Sequence, residues 1–292
     1  MKSSVNLLKA LYIGLFLIGS FAISFYAFFV LIYQGFTVAW LGVILASFLP
    51  VATLSYLLVF KTRARTQGRL PLLSLLGVIG VLLALLPFFG NGESAEILPL
   101  LLSITGFVLF QGYNFWYSSL GRRPNPALEL GQPLPQFNLM DVDGKSVSSA
   151  SYIGSPALFL FYRGNWCPLC MAQINEIADQ YKRLHSAGVR VALISPQPEK
   201  QTQSLAKSFG VEFDFLIDKG SAAARQLRID APFGLPFGLQ ALGYESDTVL
   251  PTVIATNKNG IIIFSDQTDN YRVRPEPETF LSIFEETNRS GC

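Results

Sequence analysis

The sequence predicts an α/β domain, a central mixed sheet with helices on both faces, preceded by an all-α region of four transmembrane helices. Three observations carry this. Half of the 292 residues are hydrophobic and only 14% are charged, against about a quarter charged in an ordinary soluble domain. That apolar excess lies almost wholly in residues 1–120, and the remainder has the composition of a globular domain of about 170 residues. After residue 136, short apolar runs alternate with segments of helical periodicity. At one boundary between such a run and a helix sit Cys167 and Cys170, two of the chain's three cysteines.

Residues 1–121 hold four apolar stretches near the ~20 residues that cross a bilayer, at about 10–33, 38–60, 70–89 and 97–117. The first is too long and too aromatic for a cleaved leader. Tyr33, Trp40, Trp116 and Tyr117 fall near stretch ends, where amphipathic rings favour the interface. Basic residues alternate with the loops: Lys2 and Lys9, then none, then Lys61, Arg63, Arg65 and Arg69, then only Glu93 and Glu96, then Arg122 and Arg123. Positive charge near short loops marks the cytoplasmic side. Both ends are therefore expected in the cytoplasm, with the chain a multi-pass protein of a bacterial inner or plasma membrane. The region has no cysteine and no histidine, so it carries no thiol relay and no bis-His haem site. No charge lies well inside a stretch, which argues against an ion path. An anchor remains, with Gln111 and Asn114 read as a helix–helix hydrogen bond.

Residues 122–136 hold four prolines and no helical period, and read as a semi-extended tether. The domain follows as 137–292. Phe137–Met140 and Ser146–Val147 flank a turn at Asp141–Gly144, a hairpin pattern. Strands are expected at 157–162, 189–195, 213–217, 252–255 and 261–264, and helices at 168–186, 199–209, 221–228 and 277–288. The net charge of +2 comes with no basic patch, so nucleic acid is not expected as a partner.

The run Phe161–Cys170 reads F-Y-R-G-N-W-C-P-L-C. It places a cysteine pair at a helix N-terminus, where unpaired N–H groups and the dipole favour a thiolate. Pro168 suits the first turn because it has no N–H to leave unpaired. A zinc site would need a second Cys/His pair that the chain lacks, so no metal and no cofactor are expected. A static disulfide or two inert thiols are the remaining alternatives, although a two-residue loop gains little from closure. His185, Glu176 and Asp179 read as surface residues of the cysteine helix. The loop 231–243, which repeats Phe-Gly-Leu, reads as a packed loop, and Cys292 as a frayed end or a third exchanging thiol.

On these residues the domain resembles the thioredoxin fold, and within it the peroxiredoxin-like (AhpC/TSA-type, redoxin) family. The matching runs are G-Q-P-L-P-Q-F-N-L-M-D-V-D-G-K (131–145), the cysteine run, L-P-T-V-I-A-T-N-K-N-G (250–260) and N-Y-R-V-R-P-E-P (270–277). They cover roughly 128–288. Family members carry P-x-x-x-T-x-x-C after Phe-Tyr, which puts Arg163 at the proline, Cys167 at the threonine and Cys170 at the peroxide-attacking cysteine. The arginine that those enzymes place before the following strand falls at Pro251. The pair W-C-x-x-C with Leu250-Pro251 is instead similar to thioredoxins, in which a cis-proline faces the disulfide and exposes the preceding backbone to an extended substrate.

The resemblance, which the membrane half does not share, implies a thiol–disulfide oxidoreductase using the Cys-Pro-Leu-Cys dithiol, and the apolar stretches make it a membrane-anchored one. Cys167 is then the attacking thiolate, as the more exposed of the pair, and Cys170 resolves the mixed disulfide. Arg163 either lowers the thiol pKa by its charge or pairs with a surface carboxylate, while Trp166 is expected to pack beside the site and Leu250 and Pro251 to position substrate. One alternative is a thiol peroxidase with Cys170 attacking peroxide and Cys167 resolving. Another is a non-enzymatic membrane redox sensor or scaffold. The expected partners are a protein or small-molecule disulfide or a hydroperoxide, a thiol reductant, and the lipid bilayer.

Overall fold

The structure is a computed structural model that describes residues 2–60, 64–89 and 96–290. Cys292, Glu93, Lys61 and Arg63 lie outside the described residues. The chain divides into two compact units: Met1–Ala10, Lys61–Thr66 and Leu120–Cys292 in one, Leu11–Phe60 and Gln67–Ser119 in the other.

The second unit is helical. It holds most of α1 (Lys2–Tyr33), then α2 (Val38–Val43), which runs through a π-helical turn at Ile44–Phe48 into α3 (Leu49–Phe60). α4 (Pro71–Leu85) and α5 (Ile97–Gln111) follow. Four helical segments, Ser3–Tyr33, Val38–Leu57, Pro71–Phe89 and Ile97–Tyr117, are long and apolar enough to cross a membrane. Small residues let the backbones meet: a Cβ on Gly80 would lie 2.5 Å from the Gly42 carbonyl oxygen. The polar pair bonds across helices as expected. Ser74 Oγ donates to Gln111 Oε1 at 3.4 Å, and Asn114 Nδ2 donates to Ser74 Oγ at 3.4 Å.

The first unit holds a seven-stranded sheet in the order β2-β1-β5-β4-β3-β8-β9. Its strands are β1 (Asn138–Met140), β2 (Ser146–Ser148), β3 (Ala157–Phe161), β4 (Arg190–Ser195), β5 (Asp214–Ile217), β8 (Thr252–Thr256) and β9 (Ile262–Asp266). β3, β4 and β5 run parallel, while β1, β8 and β9 are antiparallel to their neighbours. All five residues of β3 are buried. Successive side chains point to opposite faces, so helices cover both faces of the sheet. This mixed sheet is the thioredoxin-like fold implied by the resemblance.

The helices are α6 (Pro168–Asp179), α7 (Tyr181–Ser186), α8 (Glu199–Ser208), α9 (Ala222–Gln226) and α10 (Pro277–Ser290). The single helix expected over 168–186 breaks at Gln180, whose ψ of 8° leaves the helical range. Two short strands escaped the sequence reading, β6 (Asp230–Ala231) and β7 (Thr248–Val249), which pair with each other.

Residues 122–136 are not a free tether. Asn125 donates from Nδ2 to the Leu227 carbonyl at 2.7 Å, and Leu128 is fully buried. The N–H groups of Gly131 and Leu134 donate to Ile262 and Gly260 at 2.8 and 2.9 Å. Pro133 between them lacks a donor, so the segment lies along β9 without becoming a regular strand.

Candidate active site

The cysteine turn begins where β3 ends. Tyr162 N–H donates to Ile194 O at 2.9 Å and carries the parallel pairing one residue further. Gly164 then takes φ +146°, and a Cβ there would lie 2.5 Å from Trp166 Nε1, so only glycine fits without a shift. Gln197 braces the turn: its Oε1 accepts from Asn165 N–H at 2.8 Å, and its Nε2 donates to Tyr162 Oη and Thr202 Oγ1, each at 3.1 Å. Tyr244 donates its hydroxyl to Asn165 Oδ1. Cys167 is the N-cap of α6, with its carbonyl accepting from Met171 N–H at 3.0 Å, and Pro168 opens the helix.

Both thiols are free and buried, Cys167 at 3% exposure and Cys170 at 0%. Two arginines reach them. Arg274, 5% exposed, points Nη2 at Cys170 Sγ at 3.5 Å. It is held there by Nη1 to Gln173 Oε1 at 2.8 Å and Nε to Tyr271 O at 3.1 Å. Arg163 stacks over the Trp166 ring at 4.7 Å and donates from Nη2 to Gly234 O at 2.6 Å. Trp166 thus packs under the Arg163 guanidinium.

The electrostatics separate the two sulfurs. Burial opposes a charge on Cys170, yet the Cys167 hydrogen bond, the Arg274 guanidinium and the Arg163 N–H and charge together hold it down to about 5. Cys167 moves the other way: its hydrogen bond to Cys170 and its burial push it well above an ordinary thiol. Burial also pushes the Tyr162 phenol up. The expected order is therefore reversed. Cys167 has the helix N-terminus, but the Arg274 guanidinium lies against Cys170, and a desolvated pair with one charge keeps it where the cation is.

Leu250 and Pro251 also differ from expectation. No peptide bond among the described residues is cis, so Leu250–Pro251 is trans. The backbone edge expected to face substrate is occupied: Leu250 N–H donates to Ile229 O at 2.7 Å, and Pro251 O accepts from Arg122 Nη1 at 3.0 Å. Arg122 also bonds Thr252 Oγ1 at 2.9 Å. Pro251 lines a cavity of about 10 Å³ with Gln173, Thr252, Tyr271 and Arg274, room for one water. Gln173 Nε2 is buried without a partner.

Sequence reasoning missed Arg274, Gln173, Gln197 and Arg122 as site residues. Arg274 stands in the N-Y-R-V-R-P-E-P run, which is the available signal; in the sequence Arg122 signals only topology. His185 lies in α7 against the Tyr181 ring, with centroids 5.6 Å apart. No group of three or more His, Cys, Asp or Glu able to hold a metal occurs among the described residues.

Residues 130–265 match the model of the AhpC/TSA family. The chain is 28% identical over 148 residues to the chloroplastic peroxiredoxin Q of Populus jackii, covering 48% of this chain and 69% of that protein. It is 32% identical over 101 residues to the peroxiredoxin Q of Gentiana triflora, covering 35% of this chain and 46% of that protein. To the thiol-disulfide oxidoreductase ResA of Bacillus thuringiensis subsp. konkukian it is 27% identical over 125 residues, 42% of this chain and 67% of that protein. Among solved structures, peroxidoxin BcpB from Mycobacterium tuberculosis aligns at TM-score 0.45 and 14% identity, over 55% of this chain and 97% of its own. AhpC of Enterococcus faecalis aligns at TM-score 0.44 and 17% identity, over 56% of this chain and 96% of its own.

Proposed function

We propose that this chain, whose residues 130–265 match the model of the AhpC/TSA family, is a membrane-anchored thiol oxidoreductase in which Cys170 is the reactive thiolate and Cys167 the resolving thiol. The observation that carries the reading is the Arg274 guanidinium 3.5 Å from Cys170 Sγ. The cation expected to be missing, because Pro251 stands at its usual sequence position, is supplied from residue 274 instead. A fully buried sulfur admits a small electrophile more readily than a folded protein's disulfide, so a hydroperoxide is the favoured oxidant.

The Cys170 thiolate attacks one peroxide oxygen; an S–O bond forms, the O–O bond breaks, and the leaving alkoxide or hydroxide takes a proton to depart as alcohol or water. Arg274 and Arg163 stabilise the charge that develops on the leaving oxygen. Cys170 is left as a sulfenic acid, oxidised by two electrons. Cys167 then attacks that sulfur, water leaves, and the Cys167–Cys170 disulfide forms. An external dithiol reduces it by exchange and restores both thiols.

Thiol–disulfide exchange by the same pair is the second reading, favoured by Cys167 at the N-cap of α6. The apolar spans serve as the anchor, with both termini on the cytoplasmic side, as the charge pattern of the loops supports. The test compares second-order oxidation rates of the reduced, detergent-solubilised chain with hydrogen peroxide and with a protein disulfide. Faster reaction with peroxide, leaving sulfenic acid on Cys170, is expected. Faster reaction with the protein disulfide, through a mixed disulfide on Cys167, would reverse the assignment.

A further inference from the structure

The compact unit that holds the cysteines includes a segment far from them in sequence, Lys61–Thr66. It lies between two of the apolar spans, Val38–Leu57 and Pro71–Phe89. Its described residues, Ala64 to Thr66, bond to two elements of the site. The first is α6, which carries Cys170: Arg65 Nη2 pairs with the Glu176 carboxylate, and Ala64 N–H donates to Glu176 Oε1 at 3.4 Å. The second is the run Arg272–Pro275, which carries Arg274. Arg65 donates from Nε to Arg274 O and from Nη2 to Pro275 O, each at 3.2 Å. Thr66 N–H donates to Arg272 O at 2.9 Å, and Arg272 Nη1 donates to Thr66 Oγ1 at 3.2 Å.

One guanidinium therefore spans both elements whose separation sets the Arg274–Cys170 contact. Glu176 had read from sequence as a solvated helix residue; its side chain is 29% exposed and Arg65's is 25% exposed. A planar fork with five donors can bond a carboxylate and two carbonyls at once, which an ammonium cannot do in the same geometry.

We propose that Arg65 is a positioning residue for the redox centre, clamping the Arg272–Pro275 main chain to Glu176 of α6 so that the Arg274 guanidinium stays on the Cys170 sulfur. This rests on the reading of Cys170 as the thiolate. It gives the loop between two apolar spans a part in the chemistry, beyond joining anchor helices. The groups that face Cys170 are Cys167, Arg163, Arg274 and Tyr162; Arg65 acts through Arg274.

The test is the pH profile of Cys170 alkylation by iodoacetamide in the full chain, in detergent or nanodiscs, read by peptide mass spectrometry. The wild type comes first. If its midpoint sits at that of an ordinary thiol, the functional reading fails, whatever Arg65 does. With an acidic wild-type midpoint, Arg65→Ala is expected to raise it by about one pH unit or more, an alkylation rate about tenfold lower at pH values below both midpoints. Arg65→Lys, which keeps the charge, is expected to restore only part of the shift. Glu176→Ala separates position from charge: losing a nearby carboxylate lowers a thiol pKa by charge alone, whereas losing the clamp raises it. A rise is expected, and this variant decides the matter if Arg65→Ala does not fold. An unchanged midpoint in Arg65→Ala, full restoration by Arg65→Lys, or a fall or no change in Glu176→Ala overturns the proposal.

Discussion

Replacing Arg274 by glutamine removes the cation nearest Cys170 while keeping a polar side chain of similar reach. Two unit charges about 4 Å apart attract by ~4 kcal/mol at an effective dielectric near 20, and each pKa unit is worth about 1.4 kcal/mol. Arg163 and the Cys167 hydrogen bond remain in the variant, so the net shift falls in the range of ~1–3 units seen for an opposite charge at this distance. The Cys170 midpoint, about 5 in the intact site, is then expected at roughly 6–8. Because only the thiolate reacts, alkylation of Cys170 at pH 5.5 should slow by roughly threefold at the low end of that range and a few hundredfold at the high end. The substitution also leaves Gln173 Oε1 and Tyr271 O short of their donors, each worth ~1–3 kcal/mol when buried. Chemical denaturation should register that loss separately from the pH profile. A midpoint that stays at the wild-type value in a folded Arg274→Gln variant would refute the assignment of Arg274 as the cation that sets the thiolate.

Gly164→Ala places a Cβ where Trp166 Nε1 stands, at a backbone angle of +146°; a destabilisation of ~1–3 kcal/mol is expected, read by urea unfolding, and full retention of stability would contradict the turn geometry. A fragment starting at Pro126 lacks Arg122, with its bonds to Pro251 O and Thr252 Oγ1, and Asn125, with its bond to Leu227 O. It should melt below a fragment starting at Leu120, and equal melting temperatures would show those bonds to be dispensable. A phosphatase or fluorescent reporter fused after Cys292 is expected to behave as cytoplasmic, and periplasmic phosphatase activity would overturn the charge-based topology.

What the sequence made legible was local. The run Ala157–Phe161 ahead of Cys167 could be read as a strand because five consecutive apolar residues buried on both faces leave that mark. Asp141–Gly144 could be read as a hairpin turn because Asp141 bonds its own neighbours, accepting from Asp143 and Lys145 N–H at 2.9 and 2.8 Å. What escaped it was distant. Arg274 meets a sulfur 104 positions earlier and Arg122 a carbonyl 129 positions later, and no periodicity records such pairs. The acidity order went the other way for the same reason. From the sequence alone, the helix N-terminus and Arg163 were visible near the cysteines, and the former favours Cys167; the Arg274 guanidinium that favours Cys170 arrives only through the fold. The tether of 122–136 was judged by its prolines, whereas Asn125 and Leu128 decide its place by finding partners.

The central claim is that Cys170 carries the charge and Cys167 the proton. Site-resolved alkylation of the fully reduced wild-type chain across pH 4 to 10, with the two cysteines followed on separable peptides, tests it most directly. Cys170 is expected to become reactive with a midpoint at about 5, while Cys167 stays unreactive until well above the ordinary thiol value of 9.0. Cys167 titrating first, with Cys170 silent at acidic pH, would contradict the account.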